Sequence, residues 1–361
     1  MNTTQFEKLS SNVLHLNWKN SMLCLKNSGI IKKNSFIISL FPLATLLIVS
    51  TILLFNSGVA LSQSYPNKPV RIMIPFGIGG SQDAAARAFN ADLGAALGQP
   101  VIIDNRPGAG GVIGTVAVAT SVPDGYTLLL AGVSHQINGL LTTKPAYNPL
   151  QDFAPISFVG TTDYVLVVPS TLSVNSVAEL VRYAKAKPGN VNFASAGVGS
   201  AIHLSMAYFA SLAGIDMLHV PLKGGGDALI EIMAARSQAT NIPVNVALPH
   251  VHEKRLRLIA VTGPKRSKFI PHLPTVSDSG IPGYEFTSWL GLLGPAALPH
   301  AVIDRIELEM RKLLLSSTIV ERLDRQGVDT EILNINQFGD RLRKEQLHWA
   351  EIIKRSGAML D

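Results

Sequence analysis

Cysteine is nearly absent: the 361-residue chain has one, Cys24. That excludes a disulfide framework and any cluster of thiolate ligands around a metal. The 299 residues after Ser62 (361 less 62) contain no thiol, so core burial alone must hold them, which a chain of this size can supply. A surplus of one charge is also missing. Of the formal net charge of +6, Lys8, Lys19, Lys26, Lys32 and Lys33 against Glu7 account for +4, leaving +2 for everything beyond residue 62. The later lysines and arginines are interleaved with acids, so no basic face is offered to nucleic acid. What remains is an ordinary globular composition, 47% hydrophobic and 16% charged, enough for one or two cores.

One long apolar run stands out. Residues 36–55 are twenty mostly apolar positions without a charge, preceded by Lys32 and Lys33 and followed by small residues ending Ala60-Leu61-Ser62. A basic flank, an apolar stretch and a small-x-small site form the layout of a secretory signal. Residues 1–62 are therefore expected to be a signal peptide with a long polar lead, and the mature chain to start near Gln63. An uncleaved anchor is the alternative, because about 20 apolar residues suffice to span a bilayer. Pro42, Thr45, Ser50 and Thr51 weaken the span and favour cleavage. The exported part then reads as a soluble domain.

Beyond the leader, strands and helices alternate. Val70 to Ile74 is an apolar strand, and Phe89, Leu93, Ala96 and Leu97 recur at helical spacing until Gly98-Gln99-Pro100 stops the helix. Val101, Ile102 and Ile103 resume as a buried strand, which makes a βαβ unit with a parallel sheet. A glycine-rich loop follows, Asn105-Arg106-Pro107-Gly108-Ala109-Gly110-Gly111, and residues 126–131 read as a further strand. The pattern restarts after the β-branched run 165–168. Ser176-x-x-Glu179 is a capping box for a helix ended by Pro188-Gly189, and Ile202, Met206, Phe209 and Ala213 form the stripe of the next helix before strand 217–220. Residues 258–262 are one more strand, 286–294 turn apolar again, and two amphipathic helices close the chain. The fold expected is α/β with two lobes, each a mainly parallel sheet flanked by helices: 63–164 with 286–361, and 165–285. Ligands in such sheets lie beyond the carboxyl ends of the strands, which places the site in the cleft between the lobes.

Two stretches repeat one device there. Pro75-Phe76-Gly77-Ile78-Gly79-Gly80-Ser81-Gln82-Asp83 and Ser195-Ala196-Gly197-Val198-Gly199-Ser200-Ala201-Ile202-His203 each carry a strand into a glycine-rich turn that opens a helix. A helix start leaves about four amides unpaired and carries partial positive charge, so each turn is an anion site. Glycine admits a ligand close to the backbone, and Ser81 and Ser200 add hydroxyls. A pair suggests an acid held at both ends. A plain tight turn is the structural reading of either alone. Asp83 sits where the helix dipole stabilises a carboxylate whatever the function, or else it orders the loop around the ligand. His203 either caps and packs or touches ligand, and Lys223 either is solvated or brings a cation to the rim.

Rival chemistries fail on detail. A dinucleotide fingerprint needs a third glycine where Gln82 stands, and Ile113 occupies the corresponding place after Gly108-x-Gly110. No Gly-x-Ser-x-Gly elbow exists, since Phe193 precedes Ser195 by two. His250-x-His252-Glu253 lacks metal-ligand spacing, and Lys254, Arg255 and Arg257 crowd it with positive charge. No cofactor, metal or catalytic residue is therefore expected.

The chain resembles the Bug-type extracytoplasmic solute receptors of the tripartite tricarboxylate transporter family over nearly all of its mature part. The signature Pro-Phe-x-x-Gly-Gly-x-x-Asp is matched by Pro75, Phe76, Gly79, Gly80 and Asp83. A second, Ser-x-Gly-x-Gly-Ser/Thr-x-x-His-Leu, is matched by Ser195, Gly197, Gly199, Ser200, His203 and Leu204. The glycine loop at 105–111, Pro123-Asp124-Gly125, Ala260-Val261-Thr262 and Leu273-Pro274-Thr275 follow in the family's order. The resemblance implies a monomeric periplasmic receptor that closes on a small carboxylate and delivers it to membrane permease subunits, with the two signature loops holding carboxylate groups. Ile78, Gln82, Leu222 and Asn241 depart from the usual residues, so the middle of the ligand is expected to differ. A membrane-tethered sensor and a secreted hydrolase are the alternative functions.

Overall fold

The computed structural model describes residues 65–358. The leader and its cleavage point lie outside the described residues. Helices and sheets alternate through the remainder, as an α/β chain should.

Strand β1 (Val70–Ile74) is sandwiched by parallel partners β2 (Val101–Asn105) and β3 (Thr127–Gly132). Its side chains alternate between two cores: Val70, Ile72 and Ile74 face one, Met73 the other. β3 repeats the pattern with Leu128 and Leu130 against Leu129 and Ala131. That is the two-residue period of a strand buried on both faces. Helix α1 (Ser81–Leu97) joins β1 to β2, buries Phe89, Leu93 and Leu97, and ends at Gly98, whose left-handed φ of 76° lets the following amides reach Ala95 and Gly94 carbonyls. Each such side chain contributes about 1.5–3 kcal/mol of burial free energy. After a single 3₁₀ turn, Ala109–Gly111, come α2 (Val112–Ala119) and, past β3, the short helix α3 (Ser134–Asn138).

The sheet's other half is antiparallel. β4 (Phe153–Thr162) and the returning strand β10 (Ser288–Pro295) pair antiparallel, β10 also borders β3, and β11 (Val328–Thr330) closes the edge beside β4, giving six strands in the order β11-β4-β10-β3-β1-β2. Helices α8 (His300–Leu314) and α9 (Ser317–Arg325) cover the outer face with α1.

The chain leaves this sheet at Asp163 and enters a second group of strands. β5 (Tyr164–Pro169) lies between antiparallel β8 (Thr240–Pro243) and β9 (Leu256–Val261), while β6 (Asn192–Ser195) and β7 (Leu218–Pro221) form a parallel pair linked to β8's approach by the Phe193–Ala239 bridge. Helix α4 (Val177–Lys185) starts at Ser176, whose hydroxyl accepts the Glu179 amide at 3.2 Å. The expected box is half formed, because Glu179 instead accepts the Asn175 amide at 2.7 Å. Helix α5 (Ala201–Ala213) links β6 to β7, and α6 (Gly225–Met233) and α7 (Val244–His252) flank the group. The last helix, α10 (Ile335–Ser356), does carry a full capping box, Asn334 with Gln337. It packs on β4 and α3 at one end and on α5 farther along, with Trp349 against Phe286.

Candidate ligand-binding site

The first glycine turn is built by the acid it contains. Asp83 accepts the Gly79 amide at 3.0 Å and a bidentate grip from Arg87, with contacts of 2.9 and 3.1 Å. Asn105, at the end of β2, accepts from Arg87 at 3.5 Å and donates to the Phe76 carbonyl at 3.1 Å. Burial pushes the Asp83 carboxyl upward, but the Arg87, Gly79 and Asn105 hydrogen bonds outweigh it and hold the group below the usual carboxylate range. Gly79 sits at φ 81°, a conformation that favours glycine.

The second turn is braced from below. Ser195 Oγ accepts the Gly197 amide at 3.1 Å and lies 2.6 Å from His219 Nε2. Ser200 caps α5 by accepting the His203 amide at 3.2 Å, and its hydroxyl donates to the Gly197 carbonyl at 2.7 Å. His203 Nδ1 accepts the Gly199 amide at 3.4 Å, which fixes the neutral tautomer with its proton on Nε2. His203 stacks on His219 at 4.1 Å between ring centres, and His219 on Phe193 at 4.8 Å. Burial lowers the His203 imidazole to about 4, and burial followed by the neighbouring His203 does the same for His219.

Both turns border one cavity between the two groups of strands. It is small, about 60 Å³ in volume. Of the residues singled out in the sequence, Phe76, Gly80, Ser81, Asp83 and Ser200 line it. Gly79, Ser195, Gly197, Gly199 and His203 stand behind the lining, in the hydrogen bonds that shape the turns. Lys223 is exposed and outside the lining. Residues that periodicity and motif did not indicate complete the wall, among them Ser134, Thr162, Tyr164, Pro243, Ser288 and Leu290.

The walls touch through backbone and side chains together. Ser134, at the start of α3, accepts the Ala201 amide at the start of α5 at 2.9 Å, and Asn138 donates to the Gly110 carbonyl at 3.0 Å. A Cβ on Gly110 would overlap the Val198 carbonyl, and one on Gly199 would overlap Asn138. Among the described residues no group of three His, Cys, Asp or Glu is placed to hold a metal, and no helix is long and apolar enough to cross a membrane. His250 pairs with Glu253 at 3.1 Å at the end of α7.

The chain and its fold have counterparts among known proteins. Residues 85–358 match the family described as tripartite tricarboxylate transporter family receptor (TctC). The chain belongs to that family. BugT of Bordetella pertussis is 33% identical over 320 residues, covering 87% of this chain and 98% of BugT. The periplasmic binding protein BugD superposes with a TM-score of 0.78 at 28% identity, over 82% of this receptor and 99% of BugD. Rpa4515 of R. palustris, solved with adipate, gives 0.78 at 29% identity over 81% and 98% of the two chains. The receptor thus has the periplasmic binding protein fold, and its structural neighbours include one holding a carboxylate.

Proposed function

We propose that this receptor captures a small carboxylate in the cavity between its two groups of strands, closing 63–164 with 286–361 over 165–285, and delivers it to the permease subunits of a tripartite transporter. The observation that carries the reading is the convergence of the α1 and α5 amino ends on a single cavity. Helix starts favour anions through the macrodipole, and that of α1 also through its unpaired amides, without any covalent step. Phe76, Gly80, Ser81, Asp83 and Ser200 form the contact surface, while Ser195, Gly197, Gly199 and His203 hold the second turn in shape. Binding energy that favours the closed form drives closure.

A thermal-shift panel of aliphatic, hydroxy, amino and aromatic acids tests the capture step. Ligand at about 100 times its Kd adds about 2.7 kcal/mol to folding stability, a readily measured rise in Tm. No rise with any acid overturns the reading. Uptake into vesicles bearing the permease subunits, with and without the receptor, tests delivery. Amino-terminal sequencing of exported protein tests its location: a start near Gln63 agrees with a free periplasmic receptor, and a retained leader indicates a tethered sensor.

A further inference from the structure

We infer that the preferred ligand carries a single carboxylate on an apolar body, not a carboxylate at each end; the inference rests on the carboxylate reading above. The two helix starts are not equivalent. At α1 the cap residue Gly80 supplies no side-chain hydrogen bond, and the amides of Ser81, Gln82 and Asp83 have no partner among the described residues. Ser81 Oγ is buried at the cavity wall and also lacks a partner. A buried hydroxyl without a hydrogen bond is costly unless a ligand supplies one. Arg87 balances the charge of Asp83, so this end can receive an anion.

The α5 start is already occupied. Gly199, Ser200, Ala201 and His203 amides are accepted by His203 Nδ1, the Gly197 carbonyl, Ser134 Oγ and Ser200 Oγ respectively, and the Ser200 hydroxyl is itself donated to Gly197. Of the amides from 199 to 203, that of Ile202 alone has no partner among the described residues. Helix α6 reaches the cavity through Gly225 alone, and its first turn carries its own acid, Asp227. Among the described residues no lysine, arginine or histidine lines the cavity. Away from α1 the apolar wall is Val133, Ile202, Pro243, Val246 and Leu290 with the ring of Tyr164, and its polar groups are the uncharged hydroxyls of Ser134, Thr162, Tyr164, Ser200 and Ser288. A second carboxylate placed there would lose its hydration with no countercharge, whereas a hydrocarbon body gains by burial.

Calorimetric titration of the purified receptor with matched pairs, hexanoate against adipate and pentanoate against glutarate, decides the matter at about pH 7.5, where all the acid groups are ionised. The monoacid of each pair is expected to bind about tenfold or more tightly than its diacid, a difference of about 1.4 kcal/mol. Ser81→Ala should weaken the monoacid by a similar factor while leaving the Tm of the ligand-free protein unchanged. Diacids that bind as tightly or more tightly overturn the single-carboxylate inference and leave the carboxylate reading standing. Failure of both classes to bind overturns both.

Discussion

Ser195 Oγ and His219 Nε2 lie 2.6 Å apart directly beneath the second glycine turn. The spacing is that of a nucleophile and its base, but Ser195 is fully buried, stands outside the cavity lining and accepts the Gly197 amide. The pair braces the turn. Ser195→Ala should cost about 1–2 kcal/mol in urea unfolding, through loss of buried hydrogen bonds, and leave ester turnover at background in both proteins.

Stability should depend on pH in a window set by histidine. His203, His219 and His135 are each lowered by burial to about 4. Above about pH 6.5 both folded and unfolded forms are neutral; below it the unfolded chain takes up protons that the folded one refuses, so stability falls as pH drops from about 6.5 to 4. The carboxylates held low, such as Asp83, contribute only to losses at still lower pH. Melting curves across this range should slope less steeply for the His203→Asn, His219→Asn double variant, with the residual slope due to His135. An unchanged slope would disprove the assignment.

Gly110→Ala tests the backbone contact between the walls. Its Cβ would overlap the Val198 carbonyl, and the residue sits at φ 61°. Strain of about 1–3 kcal/mol is expected, together with weakened ligand binding, because the walls can no longer meet. Small-angle scattering should show a ligand-saturated variant that stays more extended than the parent.

Arg87→Ala removes the grip on Asp83. Arg87 is half exposed, so the loss in stability is modest, about 1 kcal/mol, but the Asp83 carboxyl should rise in pKa and the first turn loosen. Ligand titration as a function of pH should then show affinity falling in mild acid where the parent does not.

Leu93→Ala serves as the contrasting case. The side chain is fully buried in the outer core, away from the cavity, and its truncation should cost about 2–5 kcal/mol with no change in affinity for any acid that binds.

Local pattern made much of this molecule legible. The stripe Phe89, Leu93, Leu97 and the stop at Gly98 give α1 its length, and the two glycine turns are visible because glycine and a following helix start are sequence-local events. Strand direction was less accessible. β10 runs antiparallel to both β3 and β4 because the chain returns from the second group of strands, a choice made by contacts more than a hundred residues apart. Helix α3 has five residues, too few for a periodic signal, yet it supplies Ser134 and Asn138 to the site. β8 is four buried residues ending in Pro243, with no alternation to read. Lys223, a cation beside a glycine run that reads as a rim residue, is exposed and outside the cavity lining.

Where Gly110 meets Val198, the walls join main chain to main chain. Neither residue lines the cavity; of those that do, Ser134 and Ala201 add a hydrogen bond between the walls, while Val133, Val246 and Leu290 stand apart from the Gly110–Val198 contact. Appetite and this part of the clasp are thereby uncoupled: apolar side chains around the cavity can be exchanged for others suited to a new nutrient while the Gly110–Val198 contact, which uses no side chain, keeps its shape.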